Sequence, residues 1–184
     1  MNMKKTFAAF LDRDGVINLD FGHVGNPEEI IYVKGAFKAV RMLNNLNFYV
    51  FIVSNQAGIG KGKYTYEDYL ECIEKIKKDF ANEGAVFNDI RYCPYHEEAT
   101  QEKYRVKDHP FRKPNPGMLL DLEKTWNIDM KNSFLIGDKQ SDLLAARAAG
   151  INGYLFDEND CLETFVKKVP EVSLQVKKMK KDLF

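Results

Sequence analysis

The sequence predicts an α/β fold: a central, mostly parallel sheet with helices on both faces. Three observations predict it. Short apolar runs alternate along the chain with stretches whose apolar residues recur at helical spacing, the pattern of strand–helix–strand units. Crossovers between such strands are right-handed, which makes neighbouring strands parallel. Polar, chemistry-bearing residues follow the apolar runs directly, as in Phe10 to Asn18, FLDRDGVIN. In open sheets of this kind ligands bind beyond the carboxyl ends of the strands.

The elements follow in order. A first strand is expected over 7–11, an apolar run that ends against Asp12. A helix is expected near 36–46 and a second strand over 48–54. In the helix expected over 66–80, Tyr66, Tyr69, Leu70, Ile73, Ile76 and Phe80 share one face. Thr65 with Asp68 three residues on resembles a capping box. A third strand is expected over 86–93. Asn115 offers an N-cap and Pro116 a first helical residue for a helix over 116–126. A strand over 133–137 leads into an alanine-rich helix over 139–149, which Gly150 ends. The last strand is expected over 153–156. Residues 172–184 carry Lys177, Lys178, Lys180 and Lys181, which read as a solvated helix face; a membrane or acidic partner is the competing reading.

A chain of 184 residues is enough for one compact core, so a single domain over 1–184 is expected. Apolar residues make up 45% and charged residues 29%, which suits a globular protein. Lys+Arg and Asp+Glu both count 27, and zero net charge argues against a partner bound through a nucleic-acid backbone. No apolar run approaches the roughly 18 residues of a membrane span. Met1 to Lys5 mimics the basic head of a signal peptide, but the apolar run that follows stops at Asp12, short of the roughly 7–15 residues required. Cys72, Cys93 and Cys161 are odd in number and far apart, so the expectation is a reducing, cytoplasmic setting without a disulfide framework. The expected partner is a small molecule, with no nucleic acid and no membrane, and a monomer is expected.

Two carboxylates two residues apart repel unless a cation is near. The plain reading of Asp12-Arg13-Asp14-Gly15 is a turn. A calcium loop counted from Asp12 fails, because its fifth, sixth and twelfth positions hold Val16, Ile17 and His23. Gly58, Gly60 and Gly62 do not make a phosphate loop, since Ala57 and Tyr64 stand where glycine and Ser or Thr are needed. Nor do they make a dinucleotide loop, since Lys63 replaces its last glycine. They are expected to let the backbone turn tightly beside a ligand.

FLDRDGVIN, FIVSNQAGIG, RKPNPGM and LIGDKQSD resemble, in order, the four motifs of the haloacid dehalogenase (HAD) superfamily of phosphatases. Within it the chain is most similar to the heptose bisphosphate phosphatases, close relatives of the histidinol-phosphate phosphatases. The resemblance runs from about Phe7 to Phe156. It implies a Rossmann-like HAD fold and, given the short intervals between motifs, a capless one whose pocket is walled by loops 22–28, 57–64 and 94–112. It also implies that Asp12 attacks phosphorus and that Asp14 protonates the leaving alkoxide and later takes a proton from water. Ser54 would donate to phosphoryl oxygens and Lys113 would neutralise them. Asp12, the carbonyl of Asp14 and Asp138 would hold Mg2+, which answers the repulsion at the first motif. Uncatalysed phosphate monoester hydrolysis is so slow that enzymes accelerate it up to ~10²¹-fold, and positioning with charge neutralisation must supply most of that.

Substrate contacts are expected from Asp20, Gly22, His23, Asn55, Gln56, Arg112 and Lys139; the family usually has Tyr where His23 stands. For Asp142 two readings stay open: a favourable charge at a helix N-terminus, or a hold on metal-bound water. Many relatives carry a zinc loop, C-x-H…C-x-C, just before R-K-P. Here Cys93 is followed by Tyr95 in the histidine position, His109 and Phe111 take the cysteine positions, and His96 is shifted by one. Cys93, His96 and His109 are three candidate Zn2+ ligands, with Asp108 left to complete a tetrahedral set. The competing reading, and the expectation, is a loop held by packing and hydrogen bonds. The implied function is removal of the 7-phosphate of D-glycero-D-manno-heptose 1,7-bisphosphate, in nucleotide-heptose synthesis for cell-surface glycans. The alternatives are a phosphatase for histidinol phosphate or another small metabolite, and a non-catalytic phospho-ligand binding module.

Overall fold

A strand covered on both faces reads as an unbroken apolar run. Ala8–Leu11, β1, is such a strand, and all four residues are buried. In the computed structural model, which describes residues 5–181, β1 is the middle of a five-stranded parallel sheet. The other strands are β2 (Tyr49–Asn55), β3 (Asp89–Cys93), β4 (Phe134–Gly137) and β5 (Asn152–Leu155). The order is β3-β2-β1-β4-β5. The chain builds outward from β1 to β3, then returns to the other side of β1. The strand order therefore reverses between β1 and β4, which is where an open sheet forms its binding crevice. Residues 1–4 and 182–184, including most of the basic start, lie outside the described residues.

Side chains alternate across the sheet. Ala9, Leu11, Val50, Ile52, Phe134 and Ile136 enter one core with α1 (Ala36–Asn45), α3 (Tyr66–Asn82), α6 (Leu162–Lys168) and α7 (Pro170–Lys181). Ala8, Phe10, Phe51, Val53 and Leu135 enter the other with α4 (Gly117–Thr125) and α5 (Gln140–Ala148). A one-turn helix, α2 (Ala57–Gly60), follows β2 directly. In α1 the buried residues are Ala36, Ala39, Val40 and Leu43, a single helical stripe. Burying each large apolar side chain contributes about 1.5–3 kcal/mol. Among the described residues no helix is long and apolar enough to cross a membrane.

Several boundaries differ from the sequence expectation, each for a local reason. β3 starts at Asp89, not Val86, because side-chain amides take backbone groups, one before β3 and one on β2, that would otherwise extend the pairing. Asn44 Oδ1 accepts from Val86 N at 2.8 Å, and Asn88 Oδ1 accepts from Val50 N at 2.8 Å. On α3, Thr65 and Asp68 form the capping box, but Tyr66 and Leu70 lie at the edge of the apolar stripe and are exposed; Cys72 is buried in their stead. Asn115 does not cap α4. Its Nδ2 donates to the carbonyls of Asp108 and His109, and Pro116 takes the cap position with no side-chain bond. The C-terminal helix is docked as well as solvated. Its four lysines are exposed, while Glu171 accepts from Asn152 Nδ2 at 2.7 Å and from the Tyr154 hydroxyl at 2.9 Å, pinning α7 to β5.

Candidate active site

Asp12 N donates to the carbonyl of Ile136 at 3.0 Å, so the tips of β1 and β4 run side by side where the strand order reverses. Two glycines let the acids beyond those tips converge. Gly15 has φ +82°, and a Cβ on it would sit 2.6 Å from Asp138 Cγ. A Cβ on Gly137 would overlap the carboxyl of Asp142. Without those side chains, one carboxylate oxygen each from Asp12, Asp138 and Asp142 lie within 4.8 Å of one another. Lys113, 2% exposed, is threaded between them. Its Nζ is 2.9 Å from Asp12 Oδ2 and 2.5 Å from Asp142 Oδ1, and donates to the Val53 carbonyl at 2.8 Å. Asp142 Oδ2 also accepts from Lys139 N at 3.1 Å at the start of α5. Asp142 thus serves the helix N-terminus and holds Lys113 at once.

Burial works against every charge here, and the neighbours decide the outcome. Burial raises the pKa of Asp12, Lys113 opposes this, and Asp142 adds to it. Burial alone would lower the pKa of Lys113, but Asp12 and Asp142 outweigh it and hold the ammonium charged. Burial, then the charge of Asp12, pushes Asp138 up to about 6. Asp138 Oδ1 is buried without a hydrogen-bond partner. A lone carboxylate oxygen beside other carboxylates suits a hard divalent cation that takes oxygen ligands. The residues fit Mg2+.

Asp14 stands on the other side of Asp12. It accepts from Arg13 Nε and Nη2 at 3.0 Å, from Asn18 Nδ2 at 2.9 Å and from Gln56 Nε2 at 2.8 Å. Arg13 is 1% exposed, and its Nη2 also donates to the Val24 carbonyl at 2.7 Å, tying Asp14 to the loop that follows the first motif. In that loop Asp20 accepts from Lys139 Nζ at 2.7 Å and from Gly22 N at 2.9 Å. Burial would raise its pKa; the bonds from Lys139 and Gly22 bring it below the ordinary value.

These groups open onto a cavity of about 400 Å³, a fair size for a small metabolite. Asp12, Asp14, Ser54 and Lys113 form its floor; Arg112 and Lys139 supply cations at its wall. Asp20, Gly22, His23 and Asn55 also border it, so the fold gathers those sequence-identified positions. Asp138 borders a neighbouring cavity that Asp20 shares, and Asp142 reaches the floor through Lys113. Two expected substrate contacts are otherwise engaged. Gln56 is 1% exposed and turned to Asp14 and Ser54. Asn55 spends both ends of its amide on the backbone of Lys113, at 3.0 Å each. The sequence reading places Tyr64 at the end of a loop expected to wall the pocket but gives it no role of its own; it lines the cavity. A Cβ on Gly58 would overlap the Tyr64 ring.

The candidate zinc ligands do not gather. Cys93 Sγ is 3.9 Å from His109 Nδ1, but that nitrogen accepts from Phe111 N at 3.1 Å. His96 Nδ1 accepts from Glu98 N at 3.0 Å. The His109 ring stacks on Tyr95 at 3.9 Å and 11°. The His109 ring also meets Phe111 edge-on, so Tyr95, His109 and Phe111 pack together in this loop. Among the described residues the acidic trio is the only set of three whose ligand atoms converge.

Residues 110–171 match the family model described as HAD-hydrolase-like. The chain is 46% identical over 163 residues to the D-glycero-beta-D-manno-heptose-1,7-bisphosphate 7-phosphatase of Rhodopseudomonas palustris, covering 88% of this chain and 89% of that protein. It is 37% identical over 183 residues to the Vibrio cholerae protein of the same name, covering 93% and 98%. A crystal structure of the D,D-heptose 1,7-bisphosphate phosphatase of B. bronchiseptica, complexed with magnesium and phosphate, superimposes with a TM-score of 0.75 at 24% identity, over 97% of this chain and 99% of that one.

Proposed function

Because this chain belongs to the heptose bisphosphate phosphatases of the HAD superfamily, we propose that it removes the 7-phosphate of D-glycero-D-manno-heptose 1,7-bisphosphate in two steps on Asp12. In the first, an Asp12 carboxylate oxygen attacks phosphorus, the bond from phosphorus to the sugar oxygen breaks, and Asp14 gives its proton to the departing alkoxide. In the second, Asp14 takes a proton from water, the water oxygen attacks phosphorus, and Asp12 is released with inorganic phosphate. Lys113 Nζ, which opposes the upward push of burial on Asp12, neutralises the phosphoryl group, and Ser54 donates to its oxygens. Arg112 and Lys139 meet the sugar and its second phosphate, with Asp20, Gly22 and His23 at the rim. Asp12, the carbonyl of Asp14 and Asp138 would hold Mg2+, which when bound offsets the repulsion between the nucleophile and an anionic substrate. We further propose a single-domain, monomeric, cytoplasmic enzyme in nucleotide-heptose synthesis for cell-surface glycans.

The carrying observation is Lys113 Nζ 2.9 Å from Asp12 Oδ2, at a strand reversal that also presents the unpartnered oxygen of Asp138. The test measures phosphate release from both anomers of the heptose bisphosphate and from histidinol phosphate, with Mg2+ and with chelator. The expected result is a kcat/KM preference for one heptose anomer that vanishes with chelator and in Asp12→Asn. Preference for histidinol phosphate overturns the substrate assignment. Undiminished hydrolysis by Asp12→Asn overturns the mechanism.

A further inference from the structure

Gln56 Nε2 is 2.8 Å from both Asp14 Oδ2 and Ser54 Oγ, while its Oε1 accepts from the Tyr64 hydroxyl at 2.5 Å. A primary amide has two N–H donors and one acceptor oxygen, and the Asp14 carboxyl already accepts from Arg13 and Asn18. The amide nitrogen faces Asp14 and Ser54. Its oxygen then faces Tyr64, whose O–H is the donor. The second amide hydrogen goes to Ser54 Oγ. That hydroxyl has one hydrogen of its own, and with Gln56 donating to its oxygen the hydrogen is left for an acceptor in the cavity that Ser54 lines. One buried side chain thus sets the direction of two hydrogen bonds the reaction uses. The Tyr64 ring that holds it lies against Gly25 and Gly58, where any Cβ would overlap the ring. The phenol is clasped between the loop after the first motif and the helical turn after the second.

We propose that Gln56, oriented by Tyr64, is a positioning residue that aligns Asp14 for proton transfer and turns the Ser54 O–H toward the phosphoryl group. This rests on the acid role given to Asp14 above. Loss of the alignment harms a poor leaving group far more than a good one, because a nitrophenolate departs without a proton.

Gln56→Met keeps length and apolar bulk and removes both donors. Its kcat on the heptose bisphosphate is expected to fall about 100-fold, the lower end of what a positioned acid supplies. The rapid-mixing burst of nitrophenolate from 4-nitrophenyl phosphate should fall about 10-fold at most, because the Ser54 hydroxyl stays in place and only part of the roughly 10²- to 10³-fold that a whole donor supplies is lost. Tyr64→Phe removes only the hydroxyl and should show the same split at about one tenth the size, with a melting temperature only a few degrees lower, so the test stands even where Gln56→Met folds poorly. Equal losses on the two substrates, or no loss in either variant, overturn the proposal. Asp14→Asn measured alongside separates the causes. A split in Asp14→Asn that both variants lack sinks the positioning role alone. No split in Asp14→Asn sinks the acid role and this inference with it.

Discussion

Lys113 is a cation held almost entirely out of water by two carboxylates and a carbonyl. Removing one member of a buried ion network leaves the rest uncompensated, at a cost of about 3–5 kcal/mol. Lys113→Met in chelator is expected to lose that much stability by urea unfolding, and added Mg2+ should return part of it, because a second cation can reach the same carboxylates. No stability change would mean that the contacts of Lys113 with Asp12 and Asp142 do not support the fold. For Asp14, proton donation matters only when the leaving group needs a proton. Asp14→Asn should cut heptose bisphosphate turnover by about 10²- to 10⁴-fold and leave the nitrophenolate burst within a few-fold of the parent. Equal loss in both assays would remove the acid role.

The turn from β4 into α5 is one element on which the site depends. Asp142 reaches Lys113 over Gly137, and a Cβ there would occupy the space of its carboxyl. Gly137→Ala is expected to displace Asp142 and raise the Mg2+ concentration for half-maximal activity by about 10- to 100-fold, as loss of a supporting contact usually does; titrating activity against Mg2+ reads this directly. An unchanged midpoint would show that Asp142 has no bearing on the metal ligands. Elements of this kind were legible in the sequence where periodicity or motif order was strong: β1, β4, α3, and the Asp12, Lys113 and Asp138 tips. They were illegible where one side chain replaced a backbone partner. Asn44 and Asn88 shorten β3, and Asn115 bonds a loop instead of a helix end. Gln56 stands in the second motif, but its amide is engaged by Asp14, Ser54 and Tyr64, and no spacing rule links it to Tyr64, eight residues on. α6 is only seven residues long and too short for its periodicity to stand out.

Across the whole molecule the sheet order decides which acids meet, and their shared burial links proton binding to metal binding. Asp138 is pushed up to about 6, against an ordinary carboxylate value of about 3.9. Between those values the folded metal-free protein keeps a proton that the unfolded chain has lost. Its stability therefore falls as pH rises through that window. Asp12, raised in the same sense, adds to the trend. Mg2+ must displace the proton to use the carboxylate, so its stabilising effect grows over the same range. The rise in melting temperature on adding Mg2+ is expected to be small at pH 4.5 and larger at pH 7, with the increase centred near 6. A shift independent of pH would show that Asp138 is not a ligand.

Among the described residues no inserted body closes over the cavity; loops near residues 22–28, 57–64 and 94–112 wall it, while the chemical floor sits on β1, β2 and β4. Recognition therefore rests on those loops together with Asp20 and Lys139, and Tyr64 ties one of the loops to the reacting groups. Transplanting the three loops with Asp20 and Lys139 onto a related scaffold should carry sugar preference with them; an unchanged preference would place recognition elsewhere.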